Sequence, residues 1–504
     1  MPSDRIQAVK KWWGNHVNEH PAWRTEELPD KWFKDILLSL GLAHEIRRDA
    51  IVLGKPGAEL PVLIRSHFWE IVSCILKPYA PYSINGITAI KFHLGDKSIP
   101  YEISIITKSS STRIDIHGIS TLILEKQPAF FKNTDTVRNG PAIESPESLL
   151  VHLRPLHLRD HPQIISAFLK AVDFDHELLR TLLLQKSRPI VFRRLATLFK
   201  QVGKHAEAKL VLGAVRITTS YSPPGKSQIL KYSLPESVAK SRRMSDPVHE
   251  IRFRDQLRIY RDRALDCMKK IKIPEWNLKK ILSHAEQTKK YDTYHSSTIE
   301  GYAVTREEIQ LLMEGRETST TGANHEEIHR KMALKGYLDA HKFVLQLVSD
   351  NFRSDTPLTE STIREIYAHL FSPSLDAGLI RRDQLTSYRN TAVYIRNSRH
   401  VPPNHEKVGD LMRCLVEEAN GIENSMVRAL LTHYGFVTIH PYPDGNGRAA
   451  RFLMNHVLCT SGIPWITIRI DDREKYFKAL ETAQCDEDII PLAELLKQYL
   501  EESR

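Results

Sequence analysis

The chain has 504 residues, 41% hydrophobic and 26% charged, with a formal net charge of +10. That is ordinary for globular protein and predicts two to four domains at ~100–200 residues each. No run approaches the ~18 apolar residues of a membrane-spanning helix, the charged opening MPSDRIQAVKKWWGNH has no apolar core of a secretion signal, and five scattered cysteines without a CxxC pair exclude a disulfide framework; the expectation is a cytoplasmic protein without a membrane partner.

Residues 1–60 open with Trp12, Trp13, Trp23 and Trp32 among polar residues. A helical pattern follows through DKWFKDILLSLGL, and HEIRRDAIVLGKPG reads as a strand ending in a Gly/Pro turn. Helix followed by strand-turn is the outline of a winged-helix-like module. Residues 61–145 predict a small α+β domain. Its runs YEISIITK and TRIDIHGISTLIL alternate with the period of two expected of strands. Residues 146–217 return to helical periodicity in SPESLLVHL, HPQIISAFLKAV, HELLRTLLLQ and VFRRLATLFKQV. Residues 218–247, rich in Ser, Pro and charge, read as a linker. Residues 248–504 are almost entirely helical in pattern. The fold class expected is therefore mainly α, with an α+β region at the N-terminal side.

The positive charge is regional. Residues 151–250 hold 17 Lys+Arg against 8 Asp+Glu, whereas residues 251–504 hold 36 of each. A basic region can attract nucleic acid, so DNA is a candidate partner of the N-terminal half; the competing reading is a solvated domain that happens to be basic. The phrases RRDAIVLGKPGA, APYSINGITAIKFHLG and EISIITKSSSTRIDIHGISTLILE resemble the regulator modules of AbiEi-like antitoxins. That resemblance, over residues 1–140, implies a DNA-binding winged helix followed by a small mixed domain.

The segment richest in chemistry is His440-Pro441-Tyr442-Pro443-Asp444-Gly445-Asn446-Gly447-Arg448-Ala449-Ala450-Arg451. HYGFVTI ahead of it reads as the end of a buried helix, and PYPDGNG breaks that helix. RAARFLMNHVL starts another, so Gly445, Asn446 and Gly447 fall at a helix N-terminus, where free N–H groups and the helix dipole attract anions. Arg448 and Arg451 share one face of that helix. Asp444 offers a hard carboxylate for Mg2+, and His440 an imidazole suited to base work near neutrality. A base, an anion hole, a metal carboxylate and two cationic clamps are the parts of phosphoryl or nucleotidyl transfer. The plain alternative is a Gly-Asn turn between helices with incidental charges.

HPYPDGNGR resembles the signature of the Fic family, HPF-x-[D/E]-GN-[G/K]-R, departing in Tyr442 for Phe. The resemblance covers about residues 285–504 and implies a helical domain that transfers AMP from Mg-ATP to a protein hydroxyl, a protein adenylyltransferase. His440 would be the base and Asp444 the Mg2+ ligand. Gly445, Asn446 and Gly447 would cradle the α- and β-phosphates, with Arg448 on the β-phosphate and Arg451 on the γ-phosphate. Gly447 fits AMP transfer better than the kinase-type Doc branch, which carries Lys there. Tyr294-His295-Ser296-Ser297-Thr298-Ile299-Glu300-Gly301 is similar to the family's inhibitory helix, expected at about 289–301, in which Ser296 and Glu300 would hold Arg451 and exclude the γ-phosphate. Val393, Tyr394, Ile395 and Arg396 resemble the family's flap, a β-hairpin that clamps the target segment by strand addition. Tyr476, Phe477 and Gln484 match positions that line the adenine pocket.

His325-Glu326-Glu327-Ile328-His329 reads HExxH, the zinc-protease pattern, but has no third ligand and is better read as a solvated helix face. His152, His157 and His161 show no metal spacing. The leading reading is an autoinhibited adenylyltransferase using ATP and Mg2+. The alternatives are a DNA-associated regulator whose Fic domain senses nucleotide or modifies itself, and an enzyme that removes AMP.

Overall fold

The computed structural model describes residues 3–127, 134–136, 140–185, 189–218, 247–269, 271, 273, 275–316, 325–354 and 356–503. The linker read at 218–247 lies outside the described residues except at its two ends. The chain divides into two compact units: Met1–Arg252 with Tyr394–Val401, and Phe253–Val393 with Pro402–Arg504.

The first unit begins with α1 (Ser3–His16), β1 (Ala22–Arg24), α2 (Lys31–Ser39), β2 (Ala43–Arg47) and β3 (Ala50–Leu53). Asp30 caps α2 by accepting the Lys31 N–H at 2.7 Å. The strands form an antiparallel sheet in the order β1-β3-β2. Its core is Val9, Phe33, Ile36, Leu37, Ile51 and Leu53, and Trp12, Trp13, Trp23 and Trp32 pack around it. These tryptophans are half-buried bracing rather than an open stacking surface.

Next come α3 (Leu60–Ser66), α4 (Phe68–Leu76), β4 (Tyr82–Ile84), α5 (Gly86–His93), β5 (Glu102–Thr107), β6 (Thr112–Ile116), β7 (Ser120–Lys126), β8 (Thr134–Thr136) and β9 (Ala142–Glu144). The second alternating run of the sequence is two strands, because His117 and Gly118, at φ 48° and 68°, turn the chain between them. The six-stranded sheet has the order β6-β7-β5-β4-β9-β8. β5 and β7 are parallel neighbours, with Ser104 opposite Ile123. Alternation decides which face is dry: Ile103, Ile105, Leu122 and Leu124 are buried, while Glu102, Ser104 and Ile123 are less so. Helices α6 (Pro146–His152), α7 (Pro155–Asp160), α8 (Pro162–Ala171), α9 (His176–Gln185), α10 (Pro189–Gln201) and α11 (His205–Thr218) follow. The α+β segment and these helices share one hydrophobic cluster that runs from Ile46 to Val215.

From residue 248 the chain is helical: α12 (Val248–Met268), α13 (Leu278–Ile299), α14 (Arg306–Met313), α15 (His325–Asn351), α16 (Glu360–Asp376), α17 (Arg382–Thr386), α18 (Val408–Asn420), α19 (Ser425–Ile439), α20 (Asn446–Thr460), α21 (Arg473–Cys485) and α22 (Ile490–Glu502). Asn424 caps α19 by accepting the N–H groups of Met426 and Val427, both at 3.1 Å. α19 and α20 are buried nearly all round, as expected of helices that form the centre of a bundle. All described strands lie between Ala22 and Glu144. The β-hairpin expected at Val393–Arg396 is therefore a correction: the segment has no strand, and a turn closes it, with Ser398 N–H donating to Ile395 O at 3.2 Å and Asn397 at φ 62°. No helix among the described residues is long and apolar enough to cross a membrane.

The crossing of α15 and α16 depends on Gly336, where an added Cβ would lie 1.9 Å from Leu370 O. Because that obstacle is backbone, Gly336→Ala is expected to destabilise the protein by about 1–3 kcal/mol, the usual cost of overpacking. Denaturant unfolding monitored by circular dichroism checks it; an unchanged midpoint would contradict this account of the helix crossing.

Candidate anion-binding site between two buried helices

The catalytic-looking segment is the joint between α19 and α20. His440 ends α19 in the left-handed region, φ 53° and ψ 60°, with its N–H still donating to Phe436 O at 2.9 Å. A β-carbon in that region is strained, so the loop must hold it there. Arg389 supplies much of that hold. Its Nε donates to His440 O at 2.8 Å, its backbone N–H to Pro441 O at 2.8 Å, and its Nη2 to Pro403 O at 2.5 Å. Buried with carbonyls rather than a carboxylate for company, its guanidinium loses proton affinity, down to about 10.

Tyr442 takes the aromatic position and is fully buried. Its ring lies parallel to that of Tyr367 at 3.5 Å between centroids. Asn446 ties the loop from below: its Oδ1 accepts the Tyr442 N–H at 3.0 Å and its Nδ2 donates to Tyr442 O at 2.8 Å. The Asn446 side chain is thus consumed by the loop, and its backbone N–H is what it can offer a ligand. Gly445 precedes α20 at φ 76°, where a Cβ would also lie 2.3 Å from the Phe371 ring, so only glycine fits.

The charged groups converge on the start of α20. Asp444 accepts the Gly445 N–H at 2.6 Å through Oδ1, and its side chain remains 57% exposed. Arg448 is 1% exposed; its Nη2 lies 3.5 Å from Asp444 Oδ2 and donates to the Tyr302 hydroxyl at 3.3 Å. Tyr302 and Phe371 put their rings under the same guanidinium, at 5.0 and 5.2 Å. Burial, with the Asp444 and Glu300 charges adding, raises the Tyr302 phenol pKa although Arg448 opposes it.

Arg451 is 4% exposed and is held through Nε and Nη2 by the end of α13, while its Nη1 is buried without a hydrogen-bond partner. Its Nε donates to Ser296 Oγ at 2.8 Å, and its Nη2 donates to Ser296 O at 3.0 Å and to Glu300 Oε1 at 2.7 Å. Burial works against this cation, yet the Glu300 carboxylate outweighs it and the guanidinium is held more firmly protonated than usual. Glu300 caps α13 and Gly301, at φ 95°, turns the chain away. Glu300 also lies over the first turn of α20, where a Cβ on Gly447 would come within 2.2 Å of Oε1.

α13 is anchored from behind. Asp292, buried, accepts the hydroxyls of Tyr337 and Thr467, both at 2.7 Å, and burial raises its pKa despite them. His295 Nδ1 accepts the Ile470 N–H at 3.0 Å, and Arg473 Nε donates to Ile299 O at 2.9 Å.

The remaining expected residues are less converged. Tyr476 is buried against His433, whose Nε2 lies 2.9 Å from its hydroxyl; burial lifts the phenol to about 12 and drops the imidazole to about 3. Phe477 is 37% exposed beneath Arg473, and Gln484 Nε2 donates to Thr438 Oγ1 at 3.2 Å. Of the flap residues, Val393 belongs to the second unit and Tyr394–Val401 to the first, where Ile99 N–H donates to Arg399 O at 2.9 Å and Arg396 Nη2 reaches Glu59 Oε1 at 3.4 Å. His325 starts α15 exposed, Glu327 pairs with Lys331 at 3.2 Å, and His329 stacks on Tyr302 at 6.0 Å. Sequence reasoning missed Tyr367 and Arg389, which lie well outside the motifs they serve, and Asp292 and Tyr302, which lie within or beside the 289–301 helix but match no motif position.

Residues 357–458 match the Fic/DOC family model. Protein adenylyltransferase Fic from Nematostella vectensis is 32% identical over 196 residues, which is 38% of this chain and 42% of that protein. Protein adenylyltransferase fic-1 from Caenorhabditis elegans is 32% identical over 117 residues, 23% of each chain. Among solved structures, C. elegans Fic-1 (residues 134–508) superposes with a TM-score of 0.38 at 19% identity, over 68% of this chain and 94% of that one. The chain thus spans less than half the length of these curated relatives.

If Arg389 holds the His440 loop, Arg389→Lys leaves several buried carbonyls short of donors. A loss of about 1–3 kcal/mol is expected per carbonyl left unmade. Chemical unfolding of the variant tests this, and wild-type stability would remove Arg389 from the account.

Proposed function

We propose that this protein, whose residues 357–458 match the Fic/DOC family model, transfers AMP from ATP to a hydroxyl group of a protein and is held inactive by Glu300. The observation that carries the reading is the Arg451–Glu300 ion pair at 2.7 Å, a carboxylate seated among groups suited to a nucleotide's phosphates. The first turn of α20 receives the α- and β-phosphates on its N–H groups, with Arg448 on the β-phosphate and Arg451 on the γ-phosphate.

The target hydroxyl oxygen attacks the α-phosphorus, a P–O bond forms, and the bond to the β-phosphate oxygen breaks, so pyrophosphate leaves. His440 takes the hydroxyl proton. Its Nδ1 faces Val437 O at 3.4 Å, a contact that favours the proton on Nδ1 and the lone pair on Nε2 for that work. The exposed Asp444 carboxylate fits a hard divalent ion, and Mg2+ held there would neutralise phosphate charge. Buried Tyr476, next to Arg451, and Phe477 would flank the nucleotide's far end, with Gln484 as a polar contact.

Glu300 excludes ATP in its productive pose because the γ-phosphate and the carboxylate need the same guanidinium. Tyr302 does the same at Arg448, so the off-state has two locks on one turn of chain. DNA binding by the N-terminal half and AMP removal are the competing readings, and no contact in the site favours either.

AMP incorporation from α-labelled ATP and Mg2+ is the measurement. Glu300→Gly is expected to raise it at least tenfold, about 1.4 kcal/mol of barrier. Adding His440→Ala should lower it by about 10²–10⁴, the usual worth of a general base. Label equal in wild type and Glu300→Gly would refute inhibition by Glu300, and label persisting in the double variant would refute His440 as base. Tyr302→Ala in the Glu300→Gly background should lower the KM for ATP further; an unchanged KM leaves a single lock.

A further inference from the structure

A cavity of about 450 Å³ lies within the first unit, on the side of the six-stranded sheet that does not face the Ile103 and Ile105 layer. Glu102, Ser104 and Ile106 of β5 and Ile123 of β7 line one wall. Asn85, Gly86, Ile87 and Thr88, which open α5, line another. His152, Arg154, His157 and His161, dispersed in sequence order, line the same space. The fold has therefore collected three imidazoles and a guanidinium beside one helix start, with the Glu102 carboxylate in the same lining and His152 already bonded to the buried Glu144.

Two details give the cavity a chemistry. Asn85 occupies the cap position of α5, yet its side chain makes no cap bond. Its N–H is committed to Ser104 O at 3.0 Å, and its Oδ1 is buried without a hydrogen-bond partner. A buried acceptor in that state costs free energy that a donor on a ligand would recover. The first turn of α5 thus faces the cavity with no side chain capping it, and Gly86 at φ 64° keeps the approach open, since a Cβ there would reach only His157 Cε1, at 3.7 Å. The second detail is charge. The proton affinity of His157 falls through burial first and the nearby Arg154 charge next, with Asp160 opposing. Arg154 meets Glu125 at 3.6 Å with both side chains half exposed, a pair that binds it weakly.

We infer that this cavity binds a small phosphate ester of mononucleotide size. The phosphate rests at the first turn of α5 between Arg154 and His157, where the helix dipole and the Arg154 charge act together and the neutral His157 ring offers an N–H. A donor on the remainder of the ligand satisfies Asn85 Oδ1, and its apolar body lies against Ile87, Ile106 and Ile123. The site is independent of the reading of residues 440–451.

Hydrogen–deuterium exchange of the full chain tests it, with AMP, inorganic phosphate and adenosine as separate probes. The readout is local, so binding at residues 440–451 cannot imitate it. AMP at four times its dissociation constant is expected to slow exchange about fivefold in residues 86–93 and 152–161. Equal slowing by inorganic phosphate would identify the free anion, rather than an ester, as the ligand within the same phosphate chemistry. Slowing by adenosine as strong as by AMP would overturn anion recognition. Slowing confined to residues 440–451, or none, would overturn the site. Arg154→Glu, at an exposed position, should abolish the effect in residues 86–93; wild-type slowing would overturn the basic wall. His157→Gln replaces that variant if its ligand-free exchange differs from wild type.

Discussion

A guanidinium that is almost wholly buried must find partners, because an unpaired interior charge is too costly to keep. Arg451 is such a group, and it finds them on α13: a serine hydroxyl, a serine carbonyl and the Glu300 carboxylate. That need orders much of the second unit. α13 must end at Glu300 for the carboxylate to reach, and Gly301 must turn away beyond it. Behind the ion pair, Asp292 and His295 pin the helix to Tyr337, Thr467 and the Ile470 backbone. The consequence is a guanidinium whose Nε and Nη2 are held from within the chain, with Nη1 left buried and without a partner.

The loop beside it obeys a different constraint. Two helices meet end to start with only a few residues between them, and the chain must reverse through a left-handed histidine. Neither prolines nor glycines alone hold that geometry. Asn446 closes the turn from inside, Tyr442 packs against Tyr367, and Arg389 gathers the carbonyls that the break leaves without helical partners. The rigidity of His440 is thus a property of side chains from three separate stretches.

The helix start at Asn446 and the charges around it were legible in the sequence because they are contiguous: glycine, asparagine and arginine spacing at a helix start carries its own geometry. Glu300 was legible for a similar reason, being four residues from Ser296 on one helix face. Arg389 and Tyr302 were not, since a lone Arg or Tyr outside a motif has no local signature and acts only through the fold. The flap was misread as a hairpin because AVYIRNSRHV alternates, yet Asn397 turns the chain before any ladder can form. In the first unit, period-two alternation identified β5 and β7, whereas the turn at His117-Gly118 hid a third strand inside one run. Of the 17 Lys+Arg of residues 151–250, seven lie outside the described residues: Lys186, Arg188 and five in 219–246. His152, His157 and His161 had no meaningful spacing along the chain, and only the packing of α5 against α6 brought them to one cavity.

Gly447 has a consequence for how this protein can change over generations. Any side chain there must displace the Glu300 carboxylate, which stands 2.2 Å from the position of a Cβ. The lysine that related signatures carry at this point is therefore incompatible with the restraint on Arg451. A mutational path towards that other signature would break the Arg451–Glu300 contact in its first step. The restraint thereby fences in the sequence space around the motif, and glycine at 447 and glutamate at 300 are expected to be gained or lost together.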